Sequence, residues 1–174
     1  PIHMNCDLLA MSGGLSPAVH LHSQARGKLG WDERLLCFKP TTAHEVSFSA
    51  GAGNGVFDAA KAIADGLRAG TAAAKAAGFA IEQGDAPDVS APAQSWRPLA
   101  AWTIANGKGE GEGPKAFVDF QNDVTASDVK LAVREGYQSV EHVKRYTTLG
   151  MATDQGKTSN INGLAILAES LGNE

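Results

Sequence analysis

A glycine-rich turn between a strand-like run and a long alanine-rich stretch constrains the fold of this chain more than any other feature. Polar and apolar residues alternate over residues 44–50, as they do in a β-strand. The turn 51–55 follows, and residues 56–77, with Gly78 after them, have the composition of a helix with a glycine C-cap. Such a strand, turn and helix can bind a phosphate or a dinucleotide, because backbone N–H groups are accessible there. The G-x-G-x-G spacing is equally compatible with a tight turn that binds nothing.

Composition excludes several classes of protein. The 15 basic and 19 acidic residues do not form the basic surface that nucleic-acid binding needs. No apolar run is long enough for a membrane span, and we expect no membrane partner. Two cysteines, Cys6 and Cys37, are too few for a disulfide framework and favour reduced thiols, so we expect a cytoplasmic protein.

Three regions are predicted along the chain, and their elements favour the α/β to α+β class. Residues 5–84 form the first block, 85–115 a linker with short strands, and 116–174 a small, mostly helical block. The linker begins with a proline-rich stretch without periodicity. Runs 101–104 and 116–120 are candidates for neighbouring strands. Both ends of the chain resemble cuts through a longer protein.

The second block has strong local helix signals. A short strand is predicted over 117–121, and Thr125 with Asp128 forms a capping box for a helix over 127–135. Ser139 is expected to cap a second helix that Gly150 ends, and a last helix over 165–171 should stop at Gly172. The loop 150–159 contains Gly-Lys-Thr but lacks the spacing and the preceding strand of a P-loop.

The first block resembles two-dinucleotide-fold flavoproteins. Residues 6–17 are similar to the closing strand and Gly-x-x-Pro turn of their pyridine-nucleotide domain, and residues 18–24 resemble the alpha subunits of heterotetrameric sarcosine oxidases. The resemblance implies that 5–84 is the C-terminal part of a Rossmann-like FAD/NAD-binding domain. It also implies an NAD site at the turn, in which the residues that shape the turn or contact the cofactor are Gly51, Ala52, Gly55, Phe57 and Ala59.

The second block resembles the bacterioferritin-associated-ferredoxin-like (BFD-like) [2Fe–2S] domain of amine-oxidising flavoproteins. The positions that correspond to cluster ligands are occupied by Asp119, Gln121, Asp154 and either Lys157 or Ser159. Because a cluster requires thiolates, the resemblance implies no Fe–S cluster. Elsewhere His20 and His22 lack an evident third ligand, so we expect no other metal site. We expect Asp119, Gln121, Asp154 and Ser159 to converge in a polar network instead. The separation of the Asp119 and Asp154 side chains tests this expectation.

The resemblance also implies an activity for the parent complex. Such oxidases convert sarcosine, O2 and tetrahydrofolate to glycine, H2O2 and 5,10-methylenetetrahydrofolate, with FAD in the beta subunit and FMN at the alpha–beta interface. The implied partners are beta, gamma and delta subunits. We find no catalytic residue in this chain, expect it to be inactive alone, and expect it to contribute to the NAD site and the alpha–beta interface, with Lys157 facing FMN. Two alternatives stay open: a non-catalytic interaction module, or the matching segment of a proline-, hydroxyproline- or opine-oxidising enzyme.

Overall fold

The chain forms two compact units in a computed structural model, residues 1–99 and residues 100–174. The structure describes residues 4–8, 10, 13–89, 98–103 and 114–173. Helices and two small antiparallel sheets occur in these ranges, which agrees with a mixed α and β class. Among the described residues, no helix combines the length and the apolar character that a membrane crossing requires.

The first unit opens with a short helix and a β-hairpin. Helix α1 spans His20–Gln24, and strands β1 (Leu29–Asp32) and β2 (Cys37–Pro40) pair antiparallel with Trp31 opposite Phe38. Their rings meet edge to face with centroids 5.0 Å apart, a favourable arrangement for an aromatic pair.

The Asp32 carboxylate closes the hairpin loop. It accepts hydrogen bonds from the N–H groups of Arg34 and Leu35, at 3.0 Å each, and from the Lys39 ammonium at 3.2 Å. Burial alone would raise the pKa of Asp32, but these donors outweigh burial and lower it. The loop is therefore held by a charged acceptor.

The long helix predicted after the glycine turn is present, although it begins three residues later than expected. Helix α2 spans Ala59–Ala76, because Asp58 is its N-cap and accepts a hydrogen bond of 3.0 Å from the Lys61 N–H. Gly78 follows the helix with a φ of +90°, as expected of a glycine after a helix C-terminus.

The strand predicted over residues 44–50 is absent, and that prediction was wrong. The segment is irregular, and Val46 is 81% exposed. An alternating pattern produces a strand only when a neighbouring strand and a buried face are available, and the described residues offer neither here. Cys6, Asp7 and Leu8, from a second strand-like run, also lie outside any strand. The rest of that run lies partly outside the described residues.

Within its described residues, the second unit has two short strands and three helices around one core. Its elements are β3 (Phe117–Asp119), β4 (Val124–Thr125), α3 (Ala126–Arg134), α4 (Val140–Thr147) and α5 (Asn160–Leu171). Strand β3 pairs antiparallel with β4, and helix α3 packs against α4 and α5. The buried apolar residues of this core are Val118, Val124, Ala126, Val129, Ala132, Val143, Leu149, Ile166 and Leu167.

The local helix signals of the second unit are largely confirmed. Thr125 and Asp128 form the reciprocal capping box, whereas Ser139 occupies the N-cap of α4 without a side-chain bond. Helix α4 ends at Thr147, with Thr148 rather than Gly150 as its left-handed C-cap. Helix α5 begins five residues earlier than predicted and stops before Gly172, as expected.

Residues 101–103, which were predicted to belong to a strand beside 116–120, form no strand. Strand β3 pairs with β4, and Trp102 packs against the core from a bend. Residues 104–113 lie outside the described part of the chain.

Candidate functional site

The glycine turn of the first unit is a short 3-10 helix with a left-handed residue at each end. It spans Gly51–Asn54 and is followed by Gly55. Gly51 has a φ of +57° and Gly55 a φ of +79°, which glycine adopts far more easily than any other residue. The Gly55 N–H donates to the Ala52 carbonyl at 3.1 Å, and the Val56 N–H donates to the Gly51 carbonyl at 3.0 Å. The turn is thus a defined backbone structure.

A carboxylate from helix α2 holds this turn. Asp65 Oδ2 accepts hydrogen bonds from the Gly51 N–H at 3.0 Å and from Asn54 Nδ2 at 3.3 Å. Asp65 Oδ1 accepts from Arg68 Nε at 3.1 Å and Nη2 at 2.7 Å. These donors, with Arg68 foremost, hold the pKa of Asp65 below its usual range despite its burial. Asp65 was not recognised in the sequence, although the (i, i+3) spacing of Asp65 and Arg68 on a helix is a readable signal.

The predicted NAD contacts are distributed along the surface of the turn and the start of α2. Ala52 and Ala59 are exposed, and Phe57 is half-buried. A side chain at Gly55 would approach Lys39 Cδ to 3.0 Å and Leu35 Cδ1 to 3.2 Å, so this glycine permits close packing on the hairpin. Small exposed residues fit a ligand that lies directly against the backbone.

The same geometry limits how an anion could bind here. The Gly51 N–H is already bonded to Asp65, and the Lys61 N–H in the first turn of α2 is bonded to Asp58. Neither of these two N–H groups is therefore free to bind a phosphate. The turn therefore fits the neutral parts of a dinucleotide better than its pyrophosphate.

In the second unit, the Asp119 carboxylate joins the β3–β4 turn to the loop after α4. Asp119 is only 3% exposed, and its Oδ1 accepts from the N–H groups of Gln121 at 2.9 Å and Asn122 at 3.3 Å. Its Oδ2 accepts from the Gly150 N–H at 2.8 Å. The Gln121 side chain continues the link, because its Oε1 accepts from Thr153 Oγ1 at 2.6 Å.

Asp154 organises the rest of this loop. Its Oδ1 accepts from the Gly156 N–H at 3.0 Å, and its Oδ2 accepts from Thr158 Oγ1 at 2.7 Å and the Thr158 N–H at 3.2 Å. These donors, the Thr158 hydroxyl first, lower the pKa of Asp154. Gln121 therefore links Asp119, through its N–H, to Thr153, the residue before Asp154, through its side chain.

The two positions proposed for the fourth cluster ligand, Lys157 and Ser159, differ in their burial. Lys157 is exposed, whereas Ser159 is fully buried with its Oγ unpartnered among the described residues. Asn160, which the sequence pattern did not predict, has its side chain against Gly150 and Gly156. Both glycines have positive φ, so the loop closes tightly around this amide.

Metal-ligating side chains do not gather in the described residues. Within those ranges, no group of three or more His, Cys, Asp or Glu could hold a metal ion. His22 Nε2 instead lies 3.1 Å from the Lys28 carbonyl, an ordinary hydrogen bond.

The amino-acid sequence of the chain is similar to that of known sarcosine oxidase subunits. Residues 113–174 match the family model described as the sarcosine oxidase A3 domain. Over all 174 residues the chain is 42% identical to the sarcosine oxidase subunit alpha of Corynebacterium sp. (strain P-1), of which it covers 18%. It is 43% identical over 97% of its length to the alpha subunit of Corynebacterium sp. (strain U-96), covering 17% of that protein. It is 37% identical over 95% of its length to the sarcosine oxidase subunit alpha of Rhizobium meliloti (strain 1021), of which it covers 16%.

The chain thus spans less than a fifth of the length of these relatives. The similarity nevertheless extends over nearly every residue of the chain, in the first unit as in the second. The chain therefore belongs to the sarcosine oxidase alpha-subunit family, of which it represents one segment that includes the A3 domain.

Proposed function

We propose that this chain is a non-catalytic segment of the alpha subunit of a heterotetrameric sarcosine oxidase, with the 51–59 turn forming part of an NAD site. The proposal rests on the identity of 37% to 43% that runs along almost the whole chain. The complex would convert sarcosine, O2 and tetrahydrofolate to glycine, H2O2 and 5,10-methylenetetrahydrofolate in the cytoplasm. Its other members would be beta, gamma and delta subunits.

Within this complex the chain has a supporting role. FAD in the beta subunit and FMN at the alpha–beta interface would supply the redox chemistry. Asp65, Asp119 and Asp154 each accept at least one backbone N–H bond, which commits these carboxylates to holding loops in place. The exposed Lys157 lies on the loop held by Asp154, and we assign it to the alpha–beta contact near FMN. FMN content of a Lys157→Ala enzyme tests that assignment, and an unchanged content would refute it.

The NAD site would use the shape of the turn rather than its charge. Exposed Ala52 and Ala59 leave room for a sugar or a ring directly against the backbone, and half-buried Phe57 offers an apolar contact. Asp58 and Asp65 occupy the Lys61 and Gly51 N–H groups, so the pyrophosphate would be bound by other residues of the intact subunit. The isolated chain should consequently bind NAD weakly.

The test uses the assembled oxidase with enlarged side chains at the turn. Ala52→Leu and Ala59→Leu should lower the NAD content of the purified enzyme, because the added atoms fill the space against the backbone. Ala73→Leu is the matched control, since Ala73 is an exposed alanine further along α2. NAD content at the wild-type level in the first two variants would refute the site.

A second candidate function is an interaction module that binds no cofactor. The occupation of the Gly51 N–H by Asp65 favours it, because a turn closed by its own carboxylate presents fewer donors to a ligand. NAD titration of the complete alpha subunit by calorimetry separates the two functions. Saturable binding supports the NAD site, and its absence supports the interaction module.

A further inference from the structure

We infer that Asp65 is a positioning residue for the NAD site, which it serves by holding the 51–55 turn in its binding shape. This inference rests on the proposed function. Asp65 lies within helix α2 rather than in the turn, and its side chain is only 13% exposed. It therefore acts from a fixed helix on a segment that a cofactor would touch.

The two oxygens of Asp65 have separate tasks. Oδ2 binds both ends of the 3-10 turn, through the N–H of its first residue, Gly51, and the side-chain amide of its last, Asn54. Oδ1 accepts from Arg68, through two guanidinium nitrogens. A single carboxylate thus fastens the turn at both ends and is itself held by a cation.

The turn needs such a restraint because its sequence provides little of its own. Gly51, Gly53 and Gly55 have wide backbone freedom, and Gly51 adopts a φ of +57°. Without the Asp65 bonds the turn would populate other conformations. The apparent affinity for a ligand falls in proportion to the fraction of molecules in the binding conformation.

Arg68 explains how an acidic residue can serve an anionic cofactor. A bare carboxylate beside the turn would repel a dinucleotide, but the Arg68 guanidinium lies 2.7 Å from Asp65 Oδ1 and offsets its charge. Arg68 itself is 53% exposed, so it neutralises Asp65 while still facing solvent.

The experiment compares three variants of the complete alpha subunit in the assembled oxidase. Asp65→Ala should raise the dissociation constant for NAD about tenfold, because it removes hydrogen bonds to a charged acceptor. Asp65→Asn should have a smaller effect, since an amide oxygen still accepts from the Gly51 N–H. Ala73→Gly weakens the same helix at an exposed position away from the turn, and it should change the constant by less than about twofold.

A second measurement, hydrogen–deuterium exchange of the peptide that covers residues 50–57, does not depend on NAD. Exchange should increase in Asp65→Ala and stay at the wild-type level in Ala73→Gly. Unchanged exchange in Asp65→Ala, unchanged or tighter NAD binding, or an equal NAD loss in Ala73→Gly would overturn the inference. If the wild-type enzyme itself holds no NAD, the proposed function fails, and the role of Asp65 in NAD positioning fails with it even where exchange increases.

Discussion

The buried carboxylate of Asp119 accepts a hydrogen bond of 2.8 Å from the N–H of Gly150, which lies 31 residues further along the chain. The same side chain also accepts from two N–H groups in its own turn. One residue thus orders the β3–β4 turn and joins it to the loop after α4. A carboxylate that accepts several hydrogen bonds, one of them buried, contributes more than a single ordinary hydrogen bond.

Replacing Asp119 should strongly destabilise the chain. Asp119→Ala leaves three N–H groups without their acceptor, and we expect a loss of about 3 kcal/mol in the free energy of unfolding. Asp119→Asn should lose less, because its amide oxygen can still accept. Asp123→Asn, at an exposed carboxylate nearby, is the control for charge. Urea unfolding followed by circular dichroism measures all three, and a loss in Asp119→Ala no larger than in Asp123→Asn would contradict the assigned role.

The two N-caps of the second unit should respond differently to loss of their hydroxyl groups. Thr125 Oγ1 accepts from the Asp128 N–H at 3.3 Å and donates to Asp128 Oδ2 at 2.7 Å, whereas Ser139 makes no side-chain cap bond. Thr125→Val should cost about 1 kcal/mol of unfolding free energy. Ser139→Ala should change it by less than about 0.5 kcal/mol. Equal urea midpoints for the two variants would disprove the difference.

Local signals in the sequence predicted the elements that depend on local interactions. The Thr125–Asp128 capping box and the stop at Gly172 involve residues within one helical turn, and both were predictable. The strand over 44–50 was not a sound prediction, because alternation says nothing about whether a partner strand exists.

The network around the second-unit loop was only partly predictable. Asp119, Gln121 and Asp154 were named through a family resemblance, and their spacing alone does not bring them together. The contact of Asp65 with Gly51 spans 14 residues, and the packing of Asn160 on two glycines depends on how the loop closes. Such contacts follow from tertiary structure, which no local pattern encodes.

A buried glycine in α5 should not tolerate a methyl group. A Cβ at Gly163 would collide with the Leu149 side chain, which is 1% exposed and has little room to move. The overpacking should cost about 1–3 kcal/mol, and helix propensity returns at most about 1 kcal/mol, so Gly163→Ala should lower the free energy of unfolding by up to about 2 kcal/mol.

Gly70→Ala in helix α2 is the matched control for this change. A Cβ there meets nothing within 4 Å, so the same substitution should stabilise the chain by about 0.5–1 kcal/mol. In a Leu149→Ala background the cost of Gly163→Ala should disappear, because the colliding atoms are gone. The urea midpoint should fall in Gly163→Ala and rise in Gly70→Ala. Midpoints that both fall or both rise relative to wild type would contradict this account.

Acid should weaken the contribution of Asp154 to folding. The hydrogen bonds from Thr158 and Gly156 lower the pKa of Asp154 in the folded chain, so ionised Asp154 favours the folded state above its unfolded pKa, about 3.9. That contribution is lost as the pH falls through the lower, folded pKa. The difference in urea midpoint between wild type and Asp154→Asn should therefore shrink between about pH 7 and about pH 3. Asp123→Asn again controls for loss of one negative charge. A wild-type advantage over Asp154→Asn that stays constant or grows on acidification would contradict the assigned hydrogen bonds, because protonation removes the negative charge from the carboxyl that accepts from Gly156 and Thr158.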